Sequence, residues 1–252
     1  MSSAFPHKKR VIMLMIDTLM DSPLQEAIKY KKAPALKFFM ENGRYFPDLI
    51  CPFPTMSVNV DSTLLTGVYC DKHKVPGLVW FNEKEKRIVN YGSDGKELIK
   101  LGMNQSVKDI FYNLNHVHLD KKHSTFHEVF KEKGIDTASI NALLYRGSNP
   151  GHLNIPFLLS LFTGVDRKLK TYAPDFFSYG GMHKLNPKTK LSELRKKYGF
   201  NDKFSASELN YLIKENKLPP FTIAYLPDLD QSVHKNGRMD INGIEKVDMQ
   251  LQ

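Results

Sequence analysis

Six consecutive apolar residues, Val11 to Ile16, follow the basic lead-in Lys8, Lys9 and Arg10 and end in Asp17 and Thr18. A run of this kind reads as a strand buried on both faces, as at the centre of a parallel sheet. Asp17 then falls at the carboxyl edge of that sheet, where open α/β folds gather their ligands. The pattern turns helical over Pro23 to Tyr30 and again over Ala33 to Asn42, with Gly43 as the stop. Arg44 to Ile50 reads as a strand with mixed faces, ended by Pro52 and Pro54, which set up a rigid turn. From Thr55 the spacing predicts a short helix with Ser57 in its first turn, where free backbone donors favour an anion.

Pro76 to Asn90 reads as an inserted hairpin around the charged turn Asn82 to Arg87, and Asn90 to Asn115 is less regular. Phe126, Val129 and Phe130 recur at helical spacing within Thr125 to Lys133, closed by Gly134, and Ile135 to Ala142 follows as a second parallel strand. The Gly-, Pro- and aromatic-rich stretch 146–187 reads as cap material over the sheet edge. Ser205 or Ser207 caps a helix through Lys214. Phe221 to Leu226 is the last core strand and delivers Pro227, Asp228, Leu229 and Asp230, repeating the opening theme of an apolar strand with an acid at its carboxyl end. Asp240 then caps a helix with Ile241, Ile244, Val247 and Leu251 facing inward. Strands alternating with capped helices make this an α/β fold with a mostly parallel sheet and helices on both faces. The expected organisation is a single domain over 1–252, with a hairpin insertion near 76–91 and cap-like material near 146–187.

Composition narrows the reading. With 252 residues, 41% hydrophobic and 25% charged, the chain can bury a large core. Two cysteines, Cys51 and Cys70, exclude a disulfide framework and form no metal-binding cysteine motif. The apolar run is broken by Asp17 well short of membrane-spanning length, so neither a signal peptide nor a membrane anchor is expected, and the cytoplasm is the expected location. The formal net charge of +9 suits anionic partners, but the lysines (Lys29 to Lys32, Lys72 to Lys74, Lys121 to Lys122, Lys188 to Lys197) lack interleaved aromatics. That pattern describes a solvated basic face, mildly helpful to phosphate-bearing substrates, and no specific nucleic-acid surface.

The chemistry concentrates at strand ends and turns. Asp230 and His234 lie four apart, on one side of a helical turn, so both can ligate one cation. Asp17 and a Ser57 alkoxide suit a second ion. Each feature has a bland counterpart: an acid after a strand is often a turn residue, a serine at a helix start is usually an N-cap, and an Asp-x-x-x-His is usually a surface pair.

Taken together, three segments resemble the type I phosphodiesterase and nucleotide pyrophosphatase family of the alkaline phosphatase superfamily. They are Ile16-Asp17; Pro54-Thr55-Met56-Ser57 with Leu65-Thr66-Gly67-Val68-Tyr69 and His73; and Tyr225 through Gly237. The resemblance implies an alkaline-phosphatase-like fold and two divalent metal ions, zinc or else manganese. It implies Ser57 as both nucleophile and metal ligand, with Asp17 as the ligand shared with the nucleophile's metal. Asp230 and His234 match ligands of the other ion; Asp228 also follows the proline, but only Asp230 has histidine four residues on and glycine seven residues on. The implied activity is phosphodiester or pyrophosphate hydrolysis of a small phosphate ester through a covalent phosphoseryl intermediate. Two departures qualify it. Val60 and Asp61 stand where nucleotide pyrophosphatases carry Asn and His, with Asn59 one place early. The family's Asp-His-Gly motif and a further histidine have no counterpart before Gln252. The expectation is therefore an apparently truncated domain, inactive as an isolated chain, completed by a missing carboxyl-terminal half or a partner subunit. The alternative is a degenerate, non-catalytic member acting as a binding or interaction protein.

Overall fold

The structure, a computed structural model, describes residues 9–93 and 95–252, so Lys8 of the basic lead-in lies outside it. In chain order the elements are β1 (Val11–Ile16), α1 (Asp21–Lys29), α2 (Pro34–Asn42), α3 (Ser57–Thr66), α4 (Cys70–His73), β2 (Val79–Asn82), β3 (Arg87–Asn90), α5 (Gly95–Leu101) and α6 (Met103–Lys108). There follow a π-helical stretch (Asp109–His118), α7 (Phe126–Glu132), β4 (Thr137–Ile140), β5 (Asn149–Asn154), α8 (Phe157–Thr163), β6 (Lys168–Ala173), β7 (Phe176–Ser178) and α9 (Leu191–Arg195). A 3₁₀ turn (Lys196–Gly199), α10 (Asp202–Lys214), β8 (Phe221–Leu226), α11 (Asp228–Asn236) and α12 (Ile241–Leu251) complete the chain. The chain divides into two compact units. The first comprises 1–50 and 178–252, the second 51–177.

The first unit is built on β1 and β8, which pair in parallel with Val11 opposite Phe221 and Ile16 opposite Leu226. Leu24 and Ala27 of α1, Leu36 of α2, Leu226, Leu229 of α11, and Ile244 and Val247 of α12 form its buried core. Each fully buried aliphatic side chain contributes roughly 1.5–3 kcal/mol of transfer free energy. β1 is less enclosed than its apolar run suggests: Val11 is 54% exposed and Ile12 38%. Ser205 does not cap α10. Asn201 does, accepting from the Phe204 amide at 3.0 Å, while Ser205 lies inside the helix and donates to the Tyr225 carbonyl at 2.7 Å. Asp240 caps α12 as expected, accepting from the Gly243 amide at 2.9 Å. Buried Glu208 on α10 ties down the segment after β7, accepting from Ser178 Oγ, the Leu185 and Asn186 amides and Thr189 Oγ1.

Arg44 to Ile50 is not a strand. The segment turns at Pro47 and Asp48 and leaves Phe46, Leu49 and Ile50 exposed. Pro47 brings no N–H to a ladder, which the alternation of side chains alone did not weigh.

The second unit carries the β2–β3 hairpin and a second antiparallel pair, β5 with β6, joined through α8. The stretch expected to be irregular is largely helical. Buried Asp109 opens its π-helical part, held by both Nη atoms of Arg87 at 2.6 and 2.8 Å and by Gln105 and Asn113. Helix α7 starts on a capping box, with Thr125 Oγ1 accepting from the Glu128 amide and Glu128 accepting from the Thr125 amide. Glu128 also pairs with buried Arg146, whose remaining donors reach the carbonyls of Leu119, Asp120 and His123. A buried guanidinium so fully satisfied is a fixed structural post.

Candidate functional site

The candidate residues of the first unit meet where β1 and β8 run out. The Asp17 amide continues the ladder by donating to the Leu226 carbonyl at 3.2 Å. Its Oδ2 accepts from the Tyr225 hydroxyl at 2.5 Å, a contact set by the register that places Met15 opposite Tyr225. Thr18 follows in the left-handed region, φ +64°. There its Oγ1 donates to Asp230 Oδ1 at 2.7 Å and lies 3.5 Å from Asp17 Oδ1. One turn along α11, His234 Nε2 stands 3.4 Å from Asp230 Oδ1, with its side chain 80% exposed. Asp17, Thr18, Asp230 and His234 thus form one connected chain of polar groups.

The two aspartates of the Asp-Leu-Asp sequence have separate roles. Asp228 pairs with Lys197 Nζ at 2.7 Å and accepts from the Asp202 amide, while Asp202 Oδ1 accepts from the Asp228 amide at 2.9 Å. Burial pushes the Asp202 carboxyl up to about 6. Asp228 is committed to α10, and Asp230 is the acid that reaches toward Asp17.

Ser57 lies in the second unit, at the first position of α3. Phe53–Pro54 is a cis peptide, the Met56 amide donates to the Pro54 carbonyl at 2.9 Å, and Asn59 Nδ2 donates to the same carbonyl at 2.5 Å. The Asn59 amide is therefore spent on holding the turn. Met56 is extended and its side chain does not cap the helix; its carbonyl accepts from the Asn59 and Val60 amides at 2.9 and 3.0 Å. His73, part of the same motif region, is fully buried. Its Nδ1 accepts from the Val75 amide and Nε2 faces Thr63 Oγ1 at 3.2 Å, the pattern of a neutral ring that donates from Nε2; burial lowers its pKa to about 4. It is a structural histidine.

Carboxylates with an imidazole suit zinc or manganese by donor type. The number of donors does not suffice: among the described residues no group of three or more His, Cys, Asp or Glu side chains could hold a metal ion. Sequence reasoning missed Thr18 and Tyr225, the hydroxyls that organise Asp17 and Asp230. Thr18 directly follows Asp17, and Tyr225 stands three before Asp228, so proximity was the available signal. It also missed a cavity of about 320 Å³ in the second unit, lined in part by Tyr112, His116, Arg146 and Tyr172.

Among solved structures, the murine ectonucleotide pyrophosphatase/phosphodiesterase 5 aligns with 96% of this chain at 12% identity and a TM-score of 0.56. One structure of that murine protein is an inactive threonine-to-alanine variant in complex with AMP. The human counterpart aligns at 12% identity and a TM-score of 0.58, and phosphonoacetate hydrolase from Sinorhizobium meliloti at 15% and 0.56. These likenesses show an alkaline-phosphatase-like fold. The chain spans about half the length of each, 50% of the murine and human proteins and 52% of the hydrolase. No curated protein sequence matches it. Residues 11–252 match the family described as type I phosphodiesterase / nucleotide pyrophosphatase, and the chain belongs to that family.

Proposed function

We propose that this chain supplies the nucleophile and part of the metal-binding set of a divalent-metal-dependent phosphodiester or pyrophosphate hydrolase acting on a small phosphate ester. The observation that carries this reading is the linked set Asp17, Thr18, Asp230 and His234 at the ends of the parallel strands β1 and β8. Asp17 would serve one zinc or manganese ion, and Asp230 with His234 a second, each together with ligands from outside this set, and bound cations would neutralise charge on phosphate oxygens. Ser57 Oγ attacks phosphorus, and its proton passes through solvent to the departing oxygen. The Oγ–P bond forms, the bond from phosphorus to the departing alcohol or nucleotide breaks, and a phosphoserine results. Water then attacks the phosphoserine, the Oγ–P bond breaks, and a proton returns to Oγ. The amides at the start of α3 favour the anionic phosphoryl group beside Ser57. A hydroxyl nucleophile and a nucleotide-type substrate agree with the inactivating threonine-to-alanine change and bound AMP of the murine protein. Free Cys51 and Cys70 agree with a reducing, cytoplasmic setting.

Because no three protein donors are assembled among the described residues, the chain alone is expected to hold metal weakly and to turn over slowly or not at all. The same shortfall supports a second reading, a non-catalytic family member that acts by binding. The deciding experiment is hydrolysis of a chromogenic phosphodiester and the matching monoester with zinc or manganese, by the chain and by Ser57→Ala. Turnover that appears when missing ligands are supplied by added sequence or a partner subunit, and is lost in Ser57→Ala, upholds the hydrolase. Complete inertness in both settings upholds the binding protein.

A further inference from the structure

The lysines form no nucleic-acid stripe in the sequence, yet the fold of the first unit gathers five of them. Lys196, Lys197, Lys203, Lys235 and Lys246 line one cavity of about 390 Å³, with Asp202, Asp228, Gln231, Ser232, Gly243 and Gln250 completing the wall. They come from the turn after α9, from α10, from α11 and from α12, elements far apart in sequence. Asp230 and His234 do not line it. They belong to the same helix as Gln231, Ser232 and Lys235 but serve the strand ends instead.

This positive charge is only partly compensated. Lys197 is paired with Asp228 at 2.7 Å, and Lys203 with Glu193 at 3.7 Å. Asp228 and Asp202 also accept from each other's amides, and their two carboxylates are outnumbered by the five ammonium groups of the wall. Lys196 acts on Asp202, and Lys246 on Asp240, only through the longer-range field. Among the described residues Lys196, Lys235 and Lys246 have no ion pair. Concentrating like charges around a concavity is unfavourable in the free protein and is relieved by an anion. Lys197 and Tyr198 also take left-handed backbone angles, φ +53° and +54°, which turn the chain sharply at the cavity wall.

We infer that this cavity binds a small polyanion through its phosphate groups, of the pyrophosphate or tripolyphosphate class. Ammonium groups are compact charges with three donors each, suited to a chain of phosphate oxygens. Gln231, Ser232 and Gln250 add neutral hydrogen-bonding groups. The volume is in the range of small-molecule sites. The lining has no aromatic ring, so it offers no platform for stacking a base, and recognition rests on phosphate alone. The inference does not depend on hydrolytic activity.

The test is calorimetric titration of the full chain, with a chelator present, against inorganic phosphate, pyrophosphate, tripolyphosphate and ATP. One saturable site, with tripolyphosphate bound roughly tenfold or more tighter than phosphate and ATP matching tripolyphosphate, supports the inference. The double variant Lys235→Gln/Lys246→Gln should weaken tripolyphosphate by roughly tenfold or more. Lys29→Gln/Lys214→Gln, which removes the same charge from exposed positions outside the cavity, should leave it unchanged, as should Ser57→Ala. The inference is overturned by the absence of saturable binding, by equal weakening in the two lysine pairs, or by ATP binding where tripolyphosphate does not. Circular dichroism of each variant establishes that it is folded before it is titrated.

Discussion

Thr18 joins two candidate ligands at the cost of an unfavourable backbone. A β-branched residue at φ +64° is held against its steric preference, and its hydroxyl is the group that bridges Asp17 and Asp230. The two contributions can be separated. Thr18→Val removes the hydrogen bond and keeps the strain, so it should destabilise by about 1 kcal/mol. Thr18→Gly removes the same bond but relieves roughly 1–2 kcal/mol of left-handed strain. It should therefore be the more stable of the two by urea unfolding; the reverse order would refute the assignment of strain. The two aspartates after β8 differ in their partners. Spacing favoured Asp230 over Asp228, and the structure commits Asp228 to Lys197 and Asp202 while Asp230 turns toward Thr18. The hydroxyl of Tyr225 was invisible as a partner because it reaches Asp17 only through the β1·β8 register.

Helix α2 begins with Pro34 and has Ala33 at its N-cap position, so it has no capping side chain of its own. Asp248 of α12 supplies one from elsewhere in the chain, its Oδ1 accepting from the Leu36 amide at 2.8 Å and Oδ2 from the Ala35 amide at 3.2 Å. The carboxylate is fully buried and lies against the positive end of the helix dipole. Asp248→Ala should cost about 2–3 kcal/mol, because two amides lose an ionised acceptor at once. Asp240→Ala should cost a similar amount, because that carboxylate accepts from Ser232 Oγ and Asn236 Nδ2 as well as from the Gly243 amide. A loss below about 1 kcal/mol for Asp248→Ala in urea unfolding would contradict the cross-helix cap. The two caps mark the limit of legibility. Val11–Ile16, Phe221–Leu226, the hairpin near Val79–Asn90 and the Asp240 cap are written in local patterns of apolar residues, turns and caps. The Asp248 cap, the Asn201 cap of α10, the lysine cavity and the Arg146 post depend on tertiary partners that no local window contains. The misread strand at Arg44 to Ile50 shows the converse, a local alternation overruled because Pro47 turns the chain.

Acid should act in opposite senses on the buried histidines of the second unit and on Asp202 of the first. The second unit buries His73, His116 and His127 and holds each near pKa 4 through desolvation, against 6.5 for a free imidazole. Between pH 6.5 and 4 the unfolded chain takes up protons that the fold refuses, so stability falls as pH falls through that window. Trp80, the sole tryptophan, lies 5.5 Å from the His118 ring in this unit and reports it. Its urea midpoint by fluorescence should drop between pH 7 and 5; a flat profile would refute the linkage. In the first unit, Asp202 is raised from 3.8 to about 6 by burial. There the fold retains a proton that the unfolded chain has released, so this contribution is lost as pH rises from about 4 to 6. Hydrogen exchange of the β8 amides should show Asp202→Asn removing that dependence.

The pairing of β1 with β8 has a consequence in time as well as in space. Val11–Ile16 must wait for Phe221–Leu226 before its ladder can close, whereas the second unit is one uninterrupted stretch, 51–177. On a ribosome, which releases the chain from its amino terminus, Val11–Ile16 emerges long before its partner and stays unpaired until Phe221–Leu226 follows. Until residue 226 emerges, six apolar residues with an open ladder edge are available to chaperones, or to a neighbouring nascent copy. Translation speed through residues 178–226 thus becomes a determinant of how much of this protein is recovered folded.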